Sequence, residues 1–90
     1  LVTYKLKPGI RDAFLKTMSE SGILEEVLKE DGIVRYHYYL DESNPDIILL
    51  VEEWLTAEHQ KKHLETPHMA RFQPIKAEYI LETIVEKAEI

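Results

Sequence analysis

Residues 33–54 read Ile33-Val34-Arg35-Tyr36-His37-Tyr38-Tyr39-Leu40, then Asp41-Glu42-Ser43-Asn44-Pro45-Asp46, then Ile47-Ile48-Leu49-Leu50-Val51-Glu52-Glu53-Trp54. The first block has the period of two that a strand requires, with Val34, Tyr36, Tyr38 and Leu40 on one face and Ile33, Arg35, His37 and Tyr39 on the other. The polar middle segment, with its Asn and Pro, is a hairpin connection, so the third block is the next strand. This strand departs from simple alternation. Ile47 to Val51 are apolar on both sides, whereas an antiparallel strand with one wet face should alternate.

Outward from this hairpin the pattern continues in both directions. Val2, Tyr4 and Leu6 alternate with Thr3, Lys5 and Lys7, and Pro8-Gly9 ends that strand. From Asp12 to Lys29 the positions Phe14, Leu15, Met18, Val27 and Leu28 suit a helix, with Asp12 as N-cap and Gly22 marking a bend or restart. Asp31-Gly32 closes it. Beyond Trp54, Thr56 caps a short helix to Glu65, and Thr66-Pro67 forms a second cap with proline at the first helical position. Glu78 to Lys87 is read as a last strand, with Ile80 and Ile84 opposed to Tyr79, Leu81 and Val85.

The order is strand, helix, strand, strand, helix pair, strand. It predicts an α+β fold, a ferredoxin-like split βαβ sandwich with a four-stranded antiparallel sheet and helices on one face. Two helical regions cover one face only, so the other needs a cover that a single copy lacks. A homodimer packed sheet to sheet is the simplest cover, and shielding by loops is the alternative.

Ninety residues allow one domain, read as 1–90. Eleven basic against seventeen acidic residues give a net charge of −6, and the dispersed lysines form no basic stripe for nucleic acid. The absence of cysteine removes disulfides, thiolate metal sites and a cysteine nucleophile, which fits a cytoplasmic setting. The longest apolar run, Ile47 to Val51, is far short of a membrane helix, and no signal peptide is visible. The chain opens at Leu1 within a strand pattern, which reads as a start a few residues inside the native chain.

Three of the four histidines fall in Trp54 to Met69. The break at Thr66-Pro67 puts His63 in the last turn of one helix, where the dipole favours imidazolium. His68 falls in the first turn of the next, where it favours the neutral ring. Such a ring can accept a proton while nearby backbone N–H groups hold the resulting anion. The plainer alternative makes both histidines partly exposed residues that cap or pack. His59 and His63 share a helix face at i, i+4, with His68 or Glu58 as a third metal ligand, but HExxH is absent and no metal is expected. Trp54, Tyr36, Tyr38, Tyr39 and Phe72 could line a flat slot for an aromatic ligand, although strand aromatics are more often core or interface. One of Glu52 and Glu53 could point inward. Glu25, Glu26, Glu30 and Asp31 read most simply as a solvated helix end. The scattered glycines exclude a dinucleotide loop, and no GxSxG elbow occurs.

The segments "YKLKPGIRDAFLKTM", "VLKEDGIVRYHYY" and "IILLVEEWLTAEHQKKHLETPHM" resemble the antibiotic biosynthesis monooxygenase family, and "HLETPHM" is close to its quinol-monooxygenase branch. The resemblance implies a dimeric α+β barrel that oxidises quinols or anthrones with O₂ and uses no prosthetic group. It places Trp54, His63 and His68 on motif positions of the pocket. A haem-degrading branch is disfavoured, since its Asn, Trp and proximal His match Val2, His63 and Gln73 here. Arg11, Arg35 and Arg71 are isolated and give no clear pair for the phosphate that an isomerase branch binds.

The expected activity is therefore cofactor-independent oxidation of a small aromatic quinol or anthrone by O₂. His63 and His68 are the candidate bases, and Trp54, Tyr36, Tyr38 and Phe72 the substrate contacts. Backbone N–H groups from Thr66 to Met69 are the expected oxyanion donors. The alternatives are a non-catalytic dimeric module that binds a small ligand, and an isomerase of a small oxygenated metabolite.

Overall fold

β1 (Val2–Leu6) pairs antiparallel with both β3 (Ile47–Trp54) and β4 (Ile80–Val85), and β3 pairs antiparallel with β2 (Ile33–Leu40). The computed structural model describes residues 1–87 and gives the sheet order β2-β3-β1-β4. β1 and β2 thus flank β3, and β3 and β4 flank β1, which is the interleaved arrangement of two split βαβ units. The helices are α1 (Arg11–Ser21), α2 (Ile23–Leu28), α3 (Ala57–Leu64) and α4 (Pro67–Tyr79). The expected four-stranded antiparallel sheet with helices on one face is what the chain forms.

The core lies between that face and the helices. Val2, Tyr4 and Leu6 of β1 and Ile48 and Leu50 of β3 meet Phe14, Met18, Ile23, Val27, Met69 and Phe72 from α1, α2 and α4. At the typical 1.5–3 kcal/mol for each large apolar side chain, this burial is the main force that orients the helices. The register places the other set of side chains on the opposite face: Thr3 lies beside Leu49 and Ile84, His37 beside Val51, and Tyr39 beside Leu49. Among the described residues no helix is long and apolar enough to cross a membrane.

Several local expectations change. Asp12 sits in the first turn of α1 rather than at its cap; the cap position is Ile10, which makes no side-chain capping hydrogen bond. Gly22, at φ +74°, ends α1 in the left-handed conformation, and the chain restarts immediately as α2. In β2 the register shifts between Ile33 and Arg35, so Ile33 lies opposite Trp54 on the core face and Val34 is left exposed. α4 runs through Tyr79 despite Pro74, so β4 begins at Ile80. A second register shift beside Lys5 and Leu6 puts Ile80 opposite Leu6 and Ile84 opposite Thr3, on different faces rather than together. An alternation rule cannot foresee a bulge, because one extra residue inverts everything beyond it.

Candidate active site

Two caps determine where the histidines point. Thr56 accepts the N–H of His59 at the start of α3, and Thr66 accepts the N–H of Met69 at the start of α4. The Thr66 hydroxyl also donates to the carbonyl of His63 at 2.8 Å, joining the end of one helix to the start of the next. His63 is consequently turned into the protein, with 1 % of its surface exposed. Glu30 arrives from the loop after α2, and its Oε2 lies 2.6 Å from Nδ1 of His63 and 2.8 Å from Nε2 of His68. Its side chain is only 12 % exposed. A carboxylate only accepts, so it takes Nδ1–H from His63 and Nε2–H from His68. Nε2 of His63 then keeps its lone pair and can receive a proton.

The rings around His63 complete the site. The Trp54 ring centroid is 4.7 Å from that of His63, and Tyr36 meets it edge-on at 5.7 Å. The Trp54 indole N–H donates to Oε1 of Glu52 at 2.9 Å. A cavity of about 500 Å³ opens beside this group, with Val2, Tyr4, His63, Met69 and Phe72 as its buried walls. Burial first, and the charge of Glu52 second, raise the hydroxyl pKa of Tyr4. Burial dominates likewise for Tyr36, followed by its tyrosine neighbours and then Glu52 and Glu30. Both phenols stay neutral donors across the physiological range. The arrangement offers an apolar slot, a buried base with an oriented tautomer, and neutral hydroxyls.

Residues 1–75 match the antibiotic biosynthesis monooxygenase family. The chain belongs to that family. It is 32 % identical over 74 residues to the probable quinol monooxygenase YgiN of Escherichia coli K12, a match covering 73 % of this chain and 65 % of YgiN. The chain thus spans somewhat less than two thirds of that relative's length. A conserved protein from Methanosarcina mazei superposes with a TM-score of 0.81 at 27 % identity, over 92 % of this chain and 81 % of that one. Protein SO0527 of Shewanella oneidensis gives 0.82 at 16 % identity, over 94 % and 82 %, and shares the fold.

In this family member the candidate residues separate into groups. His63, Tyr36 and Phe72 line the cavity. His68 and Trp54 do not line it; one reaches His63 through Glu30, the other through ring contact. Tyr38 lies elsewhere, packed on Tyr4, Phe14 and Tyr36 with its hydroxyl buried and without a hydrogen-bond partner among the described residues, because two residues along β2 the helix opposite is α1 rather than α3. The oxyanion donors expected from Thr66 to Met69 are mostly spent. Thr66 N–H donates to the His63 carbonyl, Met69 N–H to the Thr66 hydroxyl, and Pro67 has none.

Glu30 is the candidate-site residue that sequence reading missed. Nothing in its local pattern separates it from the solvated acids around it, since its partners lie 33 and 38 residues further along. Its carboxylate and the two ring nitrogens lie within 4.8 Å of one another, close enough to share a metal ion. His59, which shares the i, i+4 spacing with His63, is engaged by the Thr56 hydroxyl at 2.7 Å and by Asp31 at 3.4 Å. Glu52 is the inward member of its pair, as the register opposite Tyr36 requires, and Glu53 is exposed.

Proposed function

We propose that this chain is a cofactor-independent oxygenase that uses O₂ to oxidise a small aromatic quinol or anthrone. The observation that carries the reading is a buried His63 at the cavity wall with Nδ1 held by Glu30. Family membership and the likeness to a probable quinol monooxygenase support the substrate class. A quinol reacts slowly with O₂ until it loses a proton. Nε2 of His63 takes that proton from a ring hydroxyl, and the imidazolium formed is balanced by Glu30 and by the Trp54 ring. The electron-rich phenolate passes one electron to O₂, and the resulting radical pair either combines to a peroxide or yields quinone and reduced oxygen. Tyr4 and Tyr36 supply neutral donors to the phenolate, in place of the spent backbone groups.

The outer sheet face, carrying Tyr39, Leu49, Val51 and Ile84, supports a homodimer that buries it. The deciding experiment is an oxygen electrode run with a panel of quinols, anthrones and flavonoids. Uptake above the uncatalysed rate that disappears in His63→Ala is the expected result. Saturable binding of these compounds with no uptake would assign the chain to the ligand-binding modules, and product isomerisation without O₂ to the isomerases.

A further inference from the structure

The cavity mouth has the opposite charge to the protein. Of the sixteen residues that line the cavity, three are lysines, Lys61, Lys76 and Lys87, and one is an acid, Glu52. The whole chain has seventeen acidic against eleven basic residues. Glu52 already accepts the Trp54 indole N–H, whereas none of the three lysines has a carboxylate within ion-pair distance among the described residues. Lys5, Lys16 and Lys29, all away from the cavity, do. Lys61 and Lys87 are exposed and Lys76 is half-buried, while His63, Tyr4 and Phe72 are buried. The lysines therefore form the rim and the aromatic side chains the floor. Lysine stems can lie along an apolar wall with the ammonium group at the water's edge, which suits this position.

We propose that this rim is an anion subsite, and that the ligand is a hydroxylated aromatic acid whose carboxylate (or a comparable acid group) lies at the mouth. The proposal rests on the oxygenase reading only for the ring hydroxyl directed at His63; the subsite itself is a statement about binding. A volume of about 500 Å³ suits two fused rings with substituents. Three lysines lining one cavity, with no carboxylate partner among the described residues, concentrate positive potential there, against a net charge of −6 that otherwise repels anions. An acid group on the ligand is the partner that satisfies all three.

The test is calorimetric binding of 6-hydroxy-2-naphthoate, whose acid and hydroxyl groups lie at opposite ends of the fused rings, and of its uncharged counterpart 6-hydroxy-2-naphthamide. At low salt the acid should bind roughly tenfold tighter or more, and the gap should shrink as ionic strength rises. The K61Q/K76Q/K87Q variant should lose the preference while its affinity for the amide stays within about twofold, as expected when only the charge has been removed. K62Q removes one charge from an exposed residue outside the lining and should keep the preference. Equal affinities in the native protein, binding of neither compound, or loss of the preference in K62Q alone would each overturn the proposal. Oxygen uptake is not read. If no quinol is oxidised while the acid preference persists, the oxygenase reading fails and the subsite stands.

Discussion

Oε2 of Glu30 lies 2.6 Å from Nδ1 of His63, across 33 residues of chain and in a setting that excludes most water. With Glu30 ionised, the contact favours the tautomer of His63 that holds its proton on Nδ1, so the base role proposed for one residue depends on the position of the other. His68 shares the same oxygen from the first turn of α4, at 2.8 Å.

His63→Ala should lower kcat/KM for quinol-dependent O₂ uptake by about 10²- to 10⁴-fold, the usual contribution of a general base. Glu30→Gln should lower it by roughly tenfold to a hundredfold, since it leaves the ring in place but not its preferred tautomer. His68→Ala should have the smallest effect, because the Glu30–His63 hydrogen bond survives it. Steady-state kinetics on the three variants would check the order; a Glu30→Gln variant with the native rate would show that His63 needs no orienting partner.

Gly32 ends the loop that carries Glu30, and it is constrained twice. Its φ is +83°, and an added Cβ would collide with the His59 ring. Gly32→Ala should therefore destabilise the fold by about 1–3 kcal/mol in urea unfolding. Combining it with His59→Ala should recover the collision part and leave the backbone part, giving a coupling of about 1 kcal/mol. Simple additivity of the two would mean that the ring moves aside freely.

Most of the fold was legible because it rests on periodicity and caps. The alternation in β1 and β2, Thr56, and Thr66 before Pro67 each act locally, and each produced the element they signalled. What was not legible is tertiary. The bulges at Val34 and beside Leu6 redistribute Ile33, Ile80 and Ile84 between faces without leaving a mark in composition. The candidate site was half legible for the same reason: His63, Tyr36 and Phe72, singled out in the sequence, do line the cavity, whereas Glu30 reaches His63 only once α2 has packed against α4 and β2.

Tyr4, Tyr36 and Tyr38 carry hydroxyls whose pKa values burial raises above the usual tyrosine value. The unfolded chain would release these protons near pH 10 and the folded chain only later. Stability from these groups is therefore complete below pH 10 and lost as the pH rises above it. The unfolding free energy should fall by up to about 1.4 kcal/mol per pH unit for each tyrosine that stays protonated only in the folded state. Phenolate absorbance at 295 nm should rise for these three together with loss of circular dichroism. Smooth ionisation at pH 10 in a chain that remains folded would show that their surroundings admit water.

The outer sheet face offers the remaining test, because its residues have no part in the monomer's core. Leu49 lies between Thr3 and Tyr39, with Val51 and Ile84 on the same face, and all are at least partly exposed. A stable dimer interface buries about 800 Å² on each partner, which a four-stranded sheet face of this kind can supply. Light scattering on the native chain should report twice its 10.6 kDa. Leu49→Lys should return the mass to that of one copy with circular dichroism unchanged, since the lysine then stands in water rather than in a core. A native chain that runs as one copy at micromolar concentration would remove the dimer. It would also leave Val51 and Ile84 exposed with no physical reason for their apolarity.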